Sequence, residues 1–249
     1  MSRRQSGFHV NKKGTIDLVT EVDLECERMC RAVLADRFPD HDILAEELGG
    51  GPAKGASSRY RWVFDPLDGT TNYAHGLPVF CASLALEIDG RAEVGAIYDP
   101  TRKELFTGER GHGSFLNGAR LHVSDANSLL DALLVTGFPY DVHQKLGPLI
   151  EMFSAFLGQA RAVRRLGSAA LDLCYVAAGR FDGFWEQSLR PWDVAAGALI
   201  VEEAGGEVTG MDGTPFDPGA AHLVASNGQI HDAMLDVIKG QKAKGKGQK

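Results

Sequence analysis

Trp62-Val63-Phe64-Asp65-Pro66-Leu67-Asp68-Gly69-Thr70-Thr71-Asn72 joins an apolar run to two carboxylates, a proline and a glycine within eleven residues. Residues 61–64 read as a strand that delivers Asp65 at its C-terminal end. Pro66 redirects the chain, so that Asp68, three residues on, converges on the same point with the Leu67 carbonyl facing inward between them. Hard cations such as Mg2+ take oxygen ligands at about 2.0–2.1 Å in octahedral array, and two carboxylates flanking a carbonyl supply such a cluster. Gly69, Thr70 and Thr71 then open a helix whose free N–H groups and positive dipole end form an anion site. By itself the same pattern is equally an ordinary solvated turn, because Asp, Pro and Gly are turn residues.

Two further acidic sites shift that balance. Glu46-Glu47 follows the short strand at 42–45, and Asp193 stands at a helix start between Trp192 and the apolar run Val194-Ala195-Ala196. Asp193 can be a helix cap and Glu46 an exposed side chain. Four acids at strand ends or helix starts, each beside an apolar segment, are harder to dismiss as turn, cap and surface residues.

Working outward, strand signals fill residues 80–123. Runs at 80–88, 92–98 and 104–108 are separated by turns at Asp89-Gly90 and Asp99-Pro100, with a hairpin cue at Asn117-Gly118, an antiparallel meander. Before it, Thr20-Glu21-Val22-Asp23 forms a capping box and Val22, Cys26, Met29, Cys30, Val33 and Leu34 recur at helical spacing, up to Pro39. After it, strands at 133–136, 162–166 and 181–185 alternate with helices at 144–157, 168–178 and 192–204, and 207–209, 223–226 and 230–238 finish as strand, strand and helix. The fold class is mixed α/β and α+β. Residues 1–135 form an N-terminal lobe with the meander and most of the acids, and 136–239 a C-terminal α/β lobe. Residues 240–249, a Gly/Lys/Gln segment, read as a disordered basic tail.

The whole chain of 249 residues can bury a sizeable core and carries a net charge of −7. Lys242, Lys244, Lys246 and Lys249 contribute four positive charges, so residues 1–239 carry −11. That excess argues against direct nucleic-acid binding. The longest apolar run, residues 77–86, is far short of the ~20 residues a membrane span needs. No apolar stretch follows the basic N-terminal residues, so a cytoplasmic address is expected. Cys26, Cys30, Cys81 and Cys174 have no disulfide or zinc-ribbon spacing and are read as reduced small hydrophobes.

Residues 17–23 (Asp-Leu-Val-Thr-Glu-Val-Asp), 45–47 (Ala-Glu-Glu), the 62–72 stretch, 192–197 (Trp-Asp-Val-Ala-Ala-Gly) and 203–206 (Glu-Ala-Gly-Gly) together resemble the inositol monophosphatase family of Mg2+-dependent, lithium-sensitive phosphatases. Residues 136–139 (Thr-Gly-Phe-Pro) and 165–173 (Arg-Leu-Gly-Ser-Ala-Ala-Leu-Asp-Leu) are similar to its bacterial members. The resemblance implies a five-layer αβαβα sandwich, usually dimeric, that hydrolyses a small phosphorylated polyol, inositol 1-phosphate, by metal-activated water attack. It implies two or three Mg2+ ions: one on Glu46, Asp65 and the Leu67 carbonyl, a second on Asp65, Asp68 and Asp193, and a weaker third reached through water near Glu46. Thr70, backed by Asp23, would orient and deprotonate the water, and the N–H groups of Gly69 and Thr70 would grip phosphate. Gly167, Ser168, Ala169 and Glu186 would meet the alcohol. Glu47 and Lys12 lie near the metals in this reading.

Each role has a plain structural alternative: Asp23 as capping-box partner, Thr70 as helix-start residue, Glu186 as rim carboxylate, Lys12 as solvated lysine with Lys13 beside it. Only eleven residues precede Lys12, where the family carries a long helix, and Leu48 stands where it often has Ser. Two alternatives to the inositol reading stay open. One is a sister phosphatase acting on histidinol phosphate, fructose 1,6-bisphosphate or 3′-phosphoadenosine nucleotides. The other is a role as binding partner of the transcription machinery, as some bacterial relatives have.

Overall fold

The structure, a computed structural model, describes residues 9–13, 16, 18–51, 58–220 and 222–246. Asp17 and the last three residues therefore lie outside the described residues. A short antiparallel hairpin, β1 (Val10–Lys12) and β2 (Leu18–Thr20), leads into helix α1 (Glu21–Arg37). Thr20 caps α1 as its spacing predicts: its side chain accepts from the Val22 N–H, and Asp23 reaches back to the Thr20 N–H at 2.9 Å.

The first sheet has eight strands in the order β10-β9-β8-β7-β6-β5-β3-β4. The meander occupies β5 (Tyr60–Asp68), β6 (Cys81–Ile88), β7 (Arg91–Asp99), β8 (Glu104–Glu109), β9 (Gly113–Leu116) and β10 (Ala119–Arg120), all antiparallel. β3 (Asp42–Ala45) runs parallel to β5, and β4 (Gly49–Gly51) adds an edge that the sequence reading lacked. Three consecutive glycines carry no side-chain pattern, so only pairing with β3 makes them a strand.

The second sheet, ordered β12-β11-β13-β15-β14, is mixed. β11 (Leu133–Thr136) pairs in parallel with β12 (Ala162–Arg164) and β13 (Gly183–Gln187), while β15 (His222–Ser226) runs antiparallel to both β13 and β14 (Glu207–Thr209). The division expected between 135 and 136 thus falls inside β11, and the first sheet ends at Arg120.

Helices α4 (Ala169–Ala177) and α5 (Pro191–Glu203) fill the space between the sheets. Val63, Ala85, Ile97 and Phe106 from the first sheet and Val135, Phe184 and Leu223 from the second close on them in one core. That explains why α5 is buried all round from Val194 to Val201 and has no polar stripe. Close approach depends on two glycines: a Cβ at Gly95 would stand 3.0 Å from the Ala196 carbonyl, and one at Gly108 3.1 Å from Ile200. Beyond the second sheet, α3 (Leu146–Leu157) and α6 (His231–Lys246) pack together, with Phe156 stacked on Trp185 at 3.9 Å. α1 and the short α2 (Thr70–His75) cover the other face of the first sheet, where Trp62 meets Phe38. The result is five layers, αβαβα.

One expectation is corrected. α6 continues to Lys246, so residues 240–246 are helical where a disordered tail is predicted from composition. Lys, Gln and Ala are good helix formers, and extending a helix already anchored by Ile230, Met234 and Ile238 needs no new nucleus.

Candidate active site

The acids converge at the ends of β3 and β5 and at the start of α5. Between Asp65 and Asp68 the β5–β6 register slips by one residue, because Asp65 faces Ser83 and Asp68 faces Cys81. This bulge at Pro66-Leu67 turns both carboxylates toward one place, and the Asp65 carboxylate accepts the Leu67 N–H at 2.8 Å. Gly69 follows at φ +96°, with the Val79 carbonyl 2.8 Å from where a Cβ would be, so only glycine fits the corner.

Each acid has its own tether. Asp68 Oδ2 accepts from Ser168 Oγ and from the Ala170 N–H, both at 2.7 Å. Asp193 caps α5 by accepting the Arg190 N–H at 2.7 Å. Glu46 receives Lys13 Nζ at 3.0 Å, and the same ammonium contacts Glu47. Glu27 on α1, fully buried, accepts the N–H groups of Glu47 and Leu48 at 2.8 and 3.1 Å and pairs with Arg31 at 2.7 Å. The loop bearing Glu46 is thereby fixed to α1.

Like charges crowd the site. Burial first, and then Glu46, Asp68 and Asp193, push the Asp65 carboxyl well above the usual carboxylate range. Burial and Asp68 do the same to Asp193. Asp68 is pushed up to about 6 by burial, against the hydrogen bonds from Ser168 and Ala170. Glu46 is raised by burial, with Lys13 opposing. Among the described residues, no three acids, histidines or thiols stand as a ready metal shell. Each carboxylate keeps the tether described above, and Glu46 is also hydrogen-bonded to Asp65. As a donor set they still fit a hard divalent cation: all oxygen, mutually destabilised, and relieved by positive charge.

Thr70 Oγ1 lies 2.9 Å from Asp23 Oδ1 and 3.0 Å from the Leu67 carbonyl. Both residues are buried. Asp23 thus does two jobs, capping α1 through one oxygen and holding the Thr70 hydroxyl through the other. The capping geometry read from the sequence is therefore present, and it coexists with the contact to Thr70.

On the alcohol side, Ser168 is the N-cap of α4 and is turned to Asp68, with Gly167 at φ +90° before it and buried Ala169 after it. Asn72 ties α2 to this turn, donating to the Leu166 carbonyl at 2.8 Å. Glu186, on β13, lies against Gly137 so closely that a Cβ there would collide with its carboxylate. Burial pushes Glu186 up to about 8, with Arg165 opposing. Lys12, by contrast, is exposed in β1, and Lys13 is the lysine that reaches the acids. Lys13 stands just past the end of β1, where the chain bends.

A model of the inositol monophosphatase family matches residues 1–242. The chain belongs to the inositol monophosphatase family. A Nus factor SuhB of Pseudomonas aeruginosa is 47% identical over 92% of this chain and 86% of its own length. An inositol-1-monophosphatase of Mesorhizobium japonicum is 44% identical over 93% and 86%. The inositol monophosphatase structure from Anabaena superposes with a TM-score of 0.84 at 44% identity, covering 88% of this chain and 86% of that one. An IMPase/NADP phosphatase complexed with Mg2+ and phosphate superposes at 0.82 with 27% identity, covering 95% and 88%.

Sequence reasoning did not single out Glu27, Lys13 or Asn72, which the structure ties to the Glu46 loop, to Glu46 itself and to the turn before Ser168. Glu27 had a signal, an acid four residues after Asp23 on the same helix face. The others act across long separations that no local pattern marks.

Proposed function

We propose that the chain is a Mg2+-dependent phosphomonoesterase acting on a small polyol phosphate, with inositol 1-phosphate as the leading substrate. The observation that carries this is the buried Thr70–Asp23 hydrogen bond beside four destabilised carboxylates. Glu46, Asp65, Asp68, Asp193 and the Leu67 carbonyl would hold the ions. Magnesium supplies the positive charge that lets a phosphate dianion approach these acids and that acidifies water. Asp23, held rigid by the Thr20 and Thr70 contacts, takes the proton that Thr70 relays as it accepts one from the attacking water. The first turn of α2, which no side chain caps, presents N–H groups to the phosphate oxygens. Ser168 keeps Asp68 in place, and Glu186 receives a hydroxyl of the alcohol.

Two or three ions, lithium inhibition, a homodimer and a cytoplasmic address accompany this reading. Among the described residues, no helix is long and apolar enough to cross a membrane. Phosphate release from inositol 1-phosphate, histidinol phosphate, fructose 1,6-bisphosphate and a 3′-phosphoadenosine nucleotide, with and without Mg2+, tests it. A preference of more than about tenfold for histidinol phosphate would replace the leading substrate by a sister one, a difference of about 1.4 kcal/mol. The Nus factor relatives favour a second reading, engagement of the transcription machinery alongside catalysis. Copurification of RNA polymerase with both the wild type and an inactive variant would establish that role as separate from hydrolysis.

A further inference from the structure

Glu46 stands on a turn and not on a strand. β3 ends at Ala45, which pairs with Gly49 at the start of β4, so Glu46, Glu47 and Leu48 are the turn of a tight hairpin. Such a turn closes on a left-handed residue, and Gly49 takes that place at φ +70° without strain. Successive backbone N–H groups in a turn form a concavity that suits an anion. Here the N–H groups of Glu47 and Leu48 donate to the two oxygens of one carboxylate, 2.8 Å to Glu27 Oε2 and 3.1 Å to Glu27 Oε1. The anion that fills the concavity is therefore a side chain of α1.

Arg31, one helical turn after Glu27, completes the arrangement. Its Nε donates to Glu27 Oε1 at 2.7 Å, and its Nη2 donates to the Gly49 carbonyl, so one planar fork holds both the carboxylate and the end of the turn. A carboxylate as fully buried as Glu27 is costly to keep without such partners, and three donors meet it here. The hairpin has few other anchors. β4 is three glycines with no side chains to pack, and Leu48 is exposed. On the far side of β3, Ala45 pairs in parallel with Phe64, which places Glu46 and Asp65 at neighbouring strand ends. A shift of the turn would therefore move Glu46 relative to Asp65 directly. One turn before Glu27, Asp23 holds the Thr70 hydroxyl, so α1 carries two buried acids with separate duties.

We propose that Glu27 and Arg31 are positioning residues for the cation ligand Glu46, a clamp on the β3–β4 turn that sets how tightly the site holds Mg2+. This rests on the Mg2+-dependent reading but is tested by metal binding without substrate. The readouts are the rise of Tm over a series of MgCl2 concentrations and a calorimetric Mg2+ titration. Glu27→Gln removes the charge and one of two acceptor oxygens, and should raise the Kd for Mg2+ by about tenfold or more, as groups supporting a metal ligand do. Arg31→Gln should act in the same direction, and the double variant should cost much less than the two single losses combined, because the pair works as one unit. Phosphate release should need correspondingly more MgCl2 and recover in large part when it is supplied, since the Asp23–Thr70 contact is untouched. Met152→Ala, in the buried cluster under α3, is the control: it lowers stability and should leave the Mg2+ Kd within about twofold. Arg31→Lys keeps the charge without the fork, should weaken Mg2+ by about threefold, and decides the question if Glu27→Gln does not fold. A Mg2+ Kd within about twofold of wild type in the folded clamp variants, or an equal weakening in Met152→Ala, overturns the clamp. A wild type whose Tm ignores MgCl2 overturns it together with the magnesium reading. Weaker Mg2+ binding confined to the clamp variants, with no ester hydrolysed by the wild type, supports the clamp and counts against the phosphatase reading.

Discussion

Asp68→Asn separates what this carboxylate does for folding from what it does for chemistry. Its Oδ2 accepts two hydrogen bonds, from Ser168 Oγ and the Ala170 N–H, each at 2.7 Å. An asparagine carbonyl keeps both as neutral bonds, at a cost of about 1 kcal/mol each at most. Against that, the substitution removes a charge that burial disfavours enough to push its carboxyl up to about 6. Relief of that penalty is on the order of 1–3 kcal/mol. The metal-free variant should therefore unfold within about 1 kcal/mol of wild type, or above it, which is a Tm shift of no more than about 4 °C downward. With Mg2+ at about 100 times its Kd, the wild type should gain about 2.7 kcal/mol, and the variant much less. Phosphate release should fall by about three orders of magnitude or more, several kcal/mol of lost charge stabilisation. Calorimetric unfolding with and without excess MgCl2, run beside a phosphate-release assay, reads all three. Wild-type turnover in the variant would refute the metal assignment. A metal-free loss beyond about 2 kcal/mol would show that Asp68 is a structural residue whose charge the fold needs.

Three other outcomes follow from the same geometry. Asp68 and Glu186 have carboxyls pushed up to about 6 and 8, so between about pH 4 and 8 the metal-free folded chain binds more protons than the unfolded one. Its stability should be highest near the acidic end of that window and fall as pH rises, with Mg2+ raising Tm more at pH 8 than at pH 5; a metal-free stability that climbs with pH would contradict this. Thr70→Val removes the hydroxyl 2.9 Å from Asp23, and kcat should drop by about 10²–10⁴ with little change in KM, whereas Thr70→Ser should retain most activity. Gly137→Ala drives a methyl into the Glu186 carboxylate, so KM for inositol 1-phosphate should rise and stability fall by about 1–3 kcal/mol; an unchanged KM would remove Glu186 from the alcohol side.

Much of the frame was legible in local pattern. The capping box at Thr20 and Asp23, the alternation of β6 and the turns of the meander are short-range devices, and the structure keeps them within a residue or two. The all-glycine strand β4 and the helical end of α6 were not legible, because one has no side chains to read and the other owes its helix to an anchored neighbour. Lys13, and not Lys12, contacting Glu46 shows the limit at single-residue scale: which of two neighbouring lysines meets the acids depends on where the chain bends after β1.

By itself, then, the sequence determined which oxygen donors the site has and on which element ends they sit, since a strand's C-terminus and a helix's first turn are set within a few residues. Only the tertiary structure decided their partners. Asp23 and Thr70 are 47 residues apart, Asp68 and Ser168 are 100, and Asn72 reaches a carbonyl 94 residues away. Such pairs form only when elements pack: α1 against α2 for Asp23 and Thr70, and the ends of β5 and α2 against the turn into α4 for Asp68 and Asn72. Burial converts solvated surface acids into a repulsive cluster for which a divalent cation is the natural counter-charge.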